Sequence, residues 1–376
     1  METVRTVALV CSAQSIDAAD SLPSNTGRAS RVHALIRAFE LDSKLDVIEP
    51  APLDTRGLTV FHSEEFISSM FGAESDSDCA STSGSEGNRL ERFGLVDDCA
   101  LFDGVEAHVR YAAGATVAAA EALVSGRAQV AINWEGGRHH GQRSRASGYC
   151  YVNDVVLGIL ALQARFSRVL YIDLDLHHGD GVQDAFLHSR RVMTLSLHHH
   201  ERGFFPNSGG RVDEGRGRGA GHSINVPLRR GASDGSFIRA FTAVANRAVA
   251  AFAPDAVVVQ CGSDGLGADP HKVFNLTTDA FAQSVGAVLA WGQPTLLLGG
   301  GGYSNADCAR CWARLTAVAC GSDIPPETDI PEHAFLNDYA PGFDMQTDAM
   351  LVEDENTATY LDSIIQAISS SFASRG

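Results

Sequence analysis

The stretch YIDLDLHHGDGV, Tyr171 to Val182, places acidic residues and a histidine at the end of an otherwise apolar run. The residues before it, RFSRVL, and its own first letters are typical of a buried strand. Asp173, Asp175 and His177 fall at every second position, so a strand would direct all three to one face. Burying an unpaired carboxylate costs on the order of several kcal/mol. We therefore expect a cation against this face.

The composition fits a large α/β domain. The chain has 376 residues, 44% of them hydrophobic, and a mean hydropathy of −0.04. The 46 acidic and 29 basic residues give a formal charge of −17, which disfavours non-specific binding to nucleic acid and suits cationic substrates. There is no apolar run of the ~18 residues that a transmembrane helix needs, and the first residues, METVRTVALVCSAQS, lack a signal-peptide pattern. We expect neither membrane insertion nor secretion.

The eight cysteines are scattered along the chain. Without a secretory signal, reduced thiols are the expectation. Cys308 and Cys311 form a CxxC inside NADCARCWARLTAVAC, a predicted helix. A single CxxC without a second pair favours a structural role over a zinc site.

Short apolar runs alternate with helical patterns. The runs are TVALVC, AQVAIN, RVLYIDLDL, VMTLSLH, HSINVPL, DAVVVQCG and PTLLLGGGGY, and the helical patterns between them are DGVEAHVRYAAGATVAAAEALVSG, VNDVVLGILALQARF and DGSFIRAFTAVANRAVAAFAP. Strands that are apolar on both faces and separated by helices predict a single three-layer α/β domain over residues 1–376, with a central mostly parallel sheet flanked by helices. Residues 74–88, rich in serine, glycine and acids, are predicted to be a disordered surface insertion.

Polar segments follow the predicted strands, where binding sites of parallel sheets form. NWEGGRHHGQ brings His139 and His140 after a glycine turn. Histidine has a pKa suited to proton transfer near neutrality when a carboxylate orients it, and Asp173 and Asp180 are candidates for that role. In the opening stretch, oxygen and nitrogen ligands without thiolate suit a catalytic Zn²⁺ with one open position.

Two further segments carry candidate groups. GSDGLGADP, Gly262 to Pro270, offers Asp264 and Asp269, and LGGGGYS, Leu298 to Ser304, offers Tyr303 as a hydroxyl donor after four glycines. No Lys-Ser/Thr follows these glycines, which excludes a phosphate-binding P-loop. A surface loop is favoured for residues 198–200, HHH, and the aromatic pair in the following GFFP either belongs to the core or walls a channel.

Taken in order, these segments resemble the zinc-dependent histone deacetylases, most closely the class I kind. The resemblance covers nearly the whole chain and is carried by TGRASRVHALI, DDCALFDG, GGRHHG, SGYCYVNDVVLGIL, YIDLDLHHGDGVQDAF, VMTLSLH, GFFPNSG, INVPL, GADP, LGGGGYS and IPEHAF. It implies the arginase/deacetylase fold and a protein lysine deacetylase. Such an enzyme hydrolyses N6-acetyl-lysine, in histones or other proteins, to lysine and acetate with a metal-activated water.

The resemblance also implies roles for individual residues. One catalytic Zn²⁺ would be held by Asp175, His177 and Asp269. The catalytic residues would be His140 with Asp180, His139 with Asp173, and Tyr303. The residues implied to contact substrate are Asp98 at the rim, Gly148, Tyr149, Phe205 and Leu276 along the tunnel, Arg28 in the internal cavity, and Gly301. One or two structural K⁺ ions would be bound, mostly by backbone oxygens: the first by Asp173, Asp175, His177, Ser196 and Leu197, the second by Phe186, Ser189 and Val192.

The partners and location implied are those of the family. They are acetylated lysines in histone tails or other proteins, corepressor-type protein partners, and the nucleus with some presence in the cytoplasm; direct contact with nucleic acid or membrane is not expected. Three positions depart from the family pattern: Tyr149 replaces a phenylalanine, Arg138 a tryptophan and His222 a tyrosine. Cys99 and Cys150 adjoin the rim and tunnel residues, so an oxidative switch there is an open hypothesis.

Three alternatives stay open from sequence. A ureohydrolase with two Mn²⁺ ions would need one more aspartate after the strand AVVVQ than the sequence has. A deacetylase of polyamines or other small amides would also suit an acidic rim. An inactive scaffold of a chromatin complex is less favoured, because every catalytic residue is present.

Overall fold

The computed structural model describes residues 5–72 and 89–373 of the chain. These residues contribute eight strands to one sheet: β1 Val7–Val10, β2 Asp46–Ile48, β3 Val130–Asn133, β4 Val169–Asp173, β5 Val192–His199, β6 Ser223–Leu228, β7 Ala256–Gln260 and β8 Thr295–Leu298. Their order is β2-β1-β3-β8-β7-β4-β5-β6, and every neighbouring pair is parallel. All strands except β2 come from the predicted apolar runs. The insertion predicted at 74–88 lies outside the described residues.

Helices connect the strands and cover the sheet. They are α1 Ala13–Asp20, α2 Arg28–Ala38, α3 Thr55–Leu58, α4 Glu64–Phe71, α5 Val105–Ser125, α6 Asp154–Leu162, α7 Asp180–Phe186, α8 Asp234–Phe252, α9 Thr278–Ala290, α10 Asn305–Ala319 and α11 Ala358–Ala373. The three helical patterns between the apolar runs correspond to α5, α6 and α8. The CxxC cysteines lie buried within α10 as free thiols, as a structural role requires.

Three layers arise because successive strand residues point to opposite faces of the sheet. In β4, Leu170 and Ile172 join a core with residues of α2, α8, α9, α10 and α11. Val169 and Tyr171 join a second core, on the other face, with residues of α5, α6 and α7. The predicted α/β fold, a parallel sheet flanked by helices, is confirmed.

The carboxyl ends of four neighbouring strands lie level with one another. In the register of the sheet, Leu298 at the end of β8 pairs with Asn133 of β3 and with Gln260 of β7, and Gln260 pairs with Asp173 of β4. The four polar segments predicted from sequence therefore leave the sheet side by side.

A buried aromatic stack lies beneath one of these segments. The rings of Trp134, after β3, and Trp312, on α10, are 5.5 Å apart and inclined by 5°. The guanidinium of Arg28 lies 4.6 Å from the centre of the Trp312 ring and donates to the carbonyls of Gly300 and Gly302 at 3.1 and 2.9 Å. The stack and Arg28 together fix the glycine segment that follows β8.

The expectation of a surface loop at residues 198–200 is wrong. Strand β5 extends through His199, and both His198 and His199 are buried. The Nδ1 atom of His198 lies 2.8 Å from Ser196 Oγ, and its Nε2 lies 2.9 Å from the carbonyl of Gly209. These hydrogen bonds satisfy the ring inside the protein, so the histidine run forms part of the sheet.

Candidate active site

Three side chains that could bind a metal converge beyond β4 and β7. The donor atoms of Asp175, His177 and Asp264 all lie within 4.8 Å of one another, and all three residues are buried. His177 Nδ1 lies 3.2 Å from Asp175 Oδ1 and 2.9 Å from Asp264 Oδ2. Two carboxylates and an imidazole in this arrangement offer oxygen and nitrogen ligands to a single cation.

The backbone reaches this arrangement by ending β4 at Asp173, four residues before His177. The amides of Asp175 and His177 then donate to the carboxylates of Asp173 and Asp175 at 3.2 and 3.0 Å. The strand expected over the whole stretch therefore ends at Asp173, and it is followed by turns in which aspartate side chains accept hydrogen bonds from backbone amides. The three side chains still converge.

Asp175, His177 and Asp264, which we call the metal-binding group, bring several ionisable groups close together. Burial lowers the pKa of His177, but the hydrogen bonds and charges of Asp175 and Asp264 outweigh this effect and raise it to about 10. Burial and the neighbouring Asp175 raise the pKa of Asp264 to about 6. Both shifts show that this position favours a positive charge between the carboxylates.

His139 and His140 follow β3, and each contacts a carboxylate through Nδ1. His139 Nδ1 lies 2.8 Å from Asp173 Oδ2, and His140 Nδ1 lies 2.7 Å from Asp180 Oδ1. These are the pairs predicted from sequence. Because a carboxylate accepts hydrogen bonds, each Nδ1 carries a proton, and Nε2 of a neutral His140 keeps its lone pair.

The two histidines differ in charge. Burial lowers the pKa of His140 to about 4, the charge of His139 acts in the same direction, and Asp180 opposes them only in part. Burial also lowers the pKa of His139, but Asp173 and Asp175 outweigh it and raise the value to about 9. Near neutral pH, His140 is a neutral base and His139 a cation. Neighbouring groups whose pKa values are pushed apart are typical of acid–base sites.

The segment after β8 holds Tyr303 beside the metal-binding group. The amide of Gly301 donates to Asp175 Oδ2 at 2.9 Å, and a Cβ at Gly301 would lie 2.4 Å from Asp264 Oδ2, so a side chain here would displace the carboxylate. Burial raises the pKa of the Tyr303 hydroxyl. Tyr303 therefore keeps its proton and can donate a hydrogen bond.

An open cavity of about 280 Å³, which we call the entrance cavity, lies over these groups. It is lined by Asp98, His140, Gly148, Tyr149, His177, Phe205, His271 and Tyr303. A Cβ at Gly148, whose φ is +54°, would lie 2.6 Å from His140 Cδ2 and 2.9 Å from the Phe205 ring. Asp98 Oδ2 accepts a hydrogen bond from the Gly148 amide at 2.9 Å. Asp98 thus fixes the rim at Gly148, which keeps the cavity open because it has no side chain.

A smaller space, of about 20 Å³, borders the same groups deeper in the protein. Arg138 lines it and is 5% exposed. Its Nη2 donates to the carbonyl of Glu135 at 3.1 Å, whereas its Nε has no partner among the described residues. Arg138, which replaces a tryptophan of the family pattern, therefore places a buried cation behind the metal-binding group. Burial lowers the pKa of Arg28, and the nearby charge of Arg138 lowers it further.

Comparison with known proteins agrees with this geometry. The family model of the histone deacetylase domain matches residues 22–319. The chain belongs to the histone deacetylase family. It is 40% identical over 364 residues to histone deacetylase 8 of Danio rerio, covering 97% of this chain and 94% of that protein. It is 39% identical over 360 residues to histone deacetylase 8 of Xenopus tropicalis, with 95% of each chain covered. Histone deacetylase 1 of Homo sapiens is 37% identical over 346 residues, which are 92% of this chain and 70% of that protein.

Membership of the histone deacetylase family brings metal dependence, which agrees with the group at Asp175, His177 and Asp264. Within the described residues, no helix has both the length and the apolar character needed to cross a membrane.

The structure places Asp264, rather than the predicted Asp269, with Asp175 and His177 in the group that could hold a metal. Asp269 Oδ1 accepts hydrogen bonds from the backbone amide and Nδ1 of His271, both at 2.9 Å. Its Oδ2 accepts from the Tyr303 amide at 2.8 Å. Both carboxylate oxygens of Asp269 are therefore engaged in holding neighbouring segments.

Leu276, a predicted tunnel residue, is fully buried in the core, and its backbone pairs with the loop at Leu266. His271, five residues earlier, lines the entrance cavity. His271 was not among the predicted site residues, although a histidine directly after the Asp-Pro of a candidate site segment is a usable signal.

The residues predicted to bind K⁺ lie in two groups. Ser196, on β5, pairs with Asp173 in the sheet, next to Leu197. Phe186 ends α7, its carbonyl accepts a hydrogen bond from the Ser189 amide at 2.8 Å, and Val192 begins β5. The residues of each group lie close to one another, and their role in binding K⁺ stays a prediction.

Cys99 and Cys150 are both buried free thiols. Burial, reinforced by the charge of Asp98, raises the pKa of Cys99, and burial raises that of Cys150 to about 12. Because the thiolate is the reactive form, both cysteines are poorly activated for oxidation. The oxidative switch stays a hypothesis that this environment disfavours.

Proposed function

We propose that this protein is a zinc-dependent protein lysine deacetylase. It hydrolyses N6-acetyl-lysine, in histones or other proteins, to lysine and acetate, and residues 1–376 form one catalytic domain. The observation that carries the proposal is the convergence of the metal-binding group, a neutral His140 and the Tyr303 hydroxyl at the base of one open cavity. Family membership supports the reaction class.

The donor set fits Zn²⁺. We assign Asp175, His177 and Asp264 as its ligands, because two carboxylates and one imidazole leave an open position, as in catalytic zinc sites. Burial and the charge of Asp175 raise the pKa of Asp264, and a cation between the carboxylates would offset both effects. When bound, Zn²⁺ supplies Lewis-acid polarisation of the acetyl carbonyl and activation of a water.

His140 is the general base of the proposed reaction and then its general acid. Its pKa of about 4 leaves Nε2 unprotonated at neutral pH, and its Nδ1 proton is held by Asp180 at 2.7 Å. The Asp180 carboxylate fixes the tautomer and stabilises the imidazolium that forms when His140 takes a proton from the attacking water. His140 then returns that proton to the nitrogen of the departing lysine amine.

His139 and Tyr303 stabilise negative charge. His139 is held as a cation by Asp173 and lies with Nε2 3.8 Å from Asp175 Oδ1, so it supplies positive charge next to the reacting groups. The Tyr303 hydroxyl donates to the oxygen that becomes negative in the transition state. A donor of this kind contributes roughly 3 kcal/mol.

The entrance cavity receives the acetyl-lysine side chain. Tyr149 and Phe205 are 36% and 40% exposed, so their rings can cover the aliphatic stem, and Gly148 leaves space between them. Asp98 Oδ2 is engaged by the Gly148 amide, which leaves Oδ1 to accept a hydrogen bond from the backbone of a peptide substrate.

The remaining assignments follow the family. We infer one or two structural K⁺ ions at the two groups described above, with Arg28 and Gly301 contributing to the inner end of the substrate site. We also infer acetylated proteins and corepressor-type proteins as partners, and a nuclear location with some cytoplasmic presence.

A zinc titration tests the proposal. The metal-free protein receives increasing Zn²⁺, and hydrolysis of an acetyl-lysine peptide is compared with that of an acetylated polyamine. We expect peptide hydrolysis that saturates at one zinc per chain. No peptide hydrolysis at any zinc content, or a requirement for two metal ions per chain, would reject it, and faster hydrolysis of the polyamine would move the substrate class to small amides.

A further inference from the structure

His271 lies on the wall of the entrance cavity but has no part in the reaction proposed above. Its side chain is 32% exposed, and its ring centre is 4.8 Å from that of Tyr303 and 5.0 Å from that of His177. The imidazole therefore lies beside both Tyr303 and His177 and is also open to solvent. A substrate that reaches Tyr303 comes close to this ring.

Asp269 fixes the orientation of this imidazole. Its Oδ1 receives both the backbone amide and the Nδ1 proton of His271, each at 2.9 Å, and its Oδ2 receives the Tyr303 amide at 2.8 Å. Asp269 is 1% exposed, so water competes little for these bonds. The same carboxylate thus positions the ring of His271 and the backbone of Tyr303, and this is the physical role that Asp269 has in place of metal binding.

The remaining ring nitrogen of His271 is unused by the protein. Nε2 has no hydrogen-bond partner among the residues that the structure describes. Tyr149 and Phe205, which also line the entrance cavity, offer aromatic rings to the lysine stem. Among these three rings, His271 offers an imidazole nitrogen with no internal partner, and Asp98 adds a carboxylate at the rim.

We propose that His271 is a specificity-determining residue, and that it selects acetyl-lysine peptides with a hydroxyl or carboxamide side chain on one residue directly flanking the modified lysine. This inference rests on the proposed deacetylase function. The lysine stem occupies the cavity, so the lysine Cα and its neighbours in the peptide stay over the rim, within reach of a half-exposed ring. Serine, threonine, asparagine and glutamine can each donate or accept a hydrogen bond. The contact therefore forms with either protonation state of Nε2.

The expected selectivity is that of one hydrogen bond. A single neutral hydrogen bond contributes a net amount that corresponds to roughly 2- to 10-fold in kcat/KM. We therefore expect a serine-flanked peptide to be preferred to its alanine-flanked counterpart by about 5-fold on one side of the lysine.

The test compares peptide pairs in matched variants. Acetyl-lysine peptides that differ only by serine or alanine, before or after the lysine, are assayed with the zinc-loaded wild type, His271→Leu and His271→Gln. The ratio of kcat/KM within a pair cancels any general change in activity. We expect the ratio to fall below about 2-fold in His271→Leu, which keeps the volume but removes the nitrogen, and to recover in part in His271→Gln. Asp269→Asn should also reduce it, because the ring loses its anchoring acceptor.

The outcomes separate this inference from the proposed function. A serine-to-alanine ratio unchanged in His271→Leu would overturn the inference, and so would a wild type without preference on either side of the lysine. Absence of turnover on every acetyl-lysine peptide would instead reject the deacetylase function. If His271→Leu does not fold, His271→Met serves as the apolar variant and the ratio is read in the same way.

Discussion

Replacing Asp264 and Asp269 separately by asparagine is the most direct test of the metal-binding group. Asparagine keeps the size of the side chain and one carbonyl acceptor but removes the negative charge. Asp264 is 1% exposed, and its Oδ2 lies 2.9 Å from His177 Nδ1. Asp264→Asn removes the negative charge at this position. In Asp269→Asn, the carbonyl oxygen can still accept from the Tyr303 amide, so the backbone of the site is maintained.

The expected effects on zinc affinity differ strongly. Changes to residues that only support metal ligands reduce metal affinity by about 10- to 100-fold. The loss of a direct ligand should exceed that range, so we expect Asp264→Asn to lower zinc affinity more than about 100-fold, or about 2.8 kcal/mol. Because Asp269 is anchored to His271 and Tyr303 rather than placed in the metal-binding group, Asp269→Asn should lower it by no more than about 10-fold.

Competition with a chromophoric chelator measures this affinity without any need for catalysis. Circular dichroism and thermal unfolding of each variant establish that the fold is intact. A loss of more than 100-fold in Asp269→Asn, together with near-normal zinc binding in Asp264→Asn, would refute the ligand assignment and restore the one predicted from sequence. Equal losses in both variants would show that the loop between them moves as a unit.

Three further outcomes are expected. In Tyr303→Phe, kcat should fall by about 10²-fold or more with little change in KM, because only the transition state loses a donor; steady-state kinetics with an unchanged kcat would remove Tyr303 from the mechanism. In Asp98→Ala, kcat/KM on an acetyl-lysine peptide should fall at least about 10-fold, since charge-assisted hydrogen bonds contribute about 1.5–3 kcal/mol, whereas a small acetylated amine should be affected less. Equal losses on both substrates would show that Asp98 acts only through its hydrogen bond with the Gly148 amide. His62 concerns stability: burial lowers its pKa to about 4, so the unfolded chain takes up a proton on that ring below about pH 6.5 while the folded protein does not, and the contribution of this residue to stability falls as the pH falls from 6.5 towards 4. Denaturant unfolding at pH 7 and pH 5 should show a loss about 2 kcal/mol smaller in His62→Gln, and an identical loss in both proteins would contradict the shift.

Sequence patterns were sufficient for most of the sheet. Every predicted apolar run forms a strand, because residues apolar on both faces fit only a covered parallel sheet. Strand β2, Asp46–Ile48, gave no such signal: it has three residues at the sheet edge, and none of them is fully buried. The order of the strands could not be read either, since β3 pairs with β8, which lies far along the chain, and this pairing depends on packing of the whole domain.

In the site, too, some contacts could be predicted from the sequence and others could not. The contacts of His139 with Asp173 and of His140 with Asp180 were expected from the resemblance to the deacetylase family; the residues alone made Asp173 and Asp180 candidates to orient either histidine. The choice between Asp264 and Asp269 could not be predicted, because both lie in one loop after β7. A tight turn at Leu266, whose amide donates to the Ser263 carbonyl, decides which carboxylate faces His177. Sequence spacing alone does not encode the direction of that turn.

The stacked indoles of Trp134 and Trp312 have a spectroscopic consequence. The chain contains three tryptophans, and two of them are stacked with nearly parallel rings 5.5 Å apart, with Arg28 between the outer ring face and the glycine segment that carries Tyr303. Two chromophores at this separation share their excited state and give a coupled signal in near-ultraviolet circular dichroism. A shift of the glycine segment would move the guanidinium over the Trp312 ring and change the emission of the pair. The protein therefore carries its own optical label for events at the base of the cavity, and ligand entry can be followed in the native chain without an attached dye.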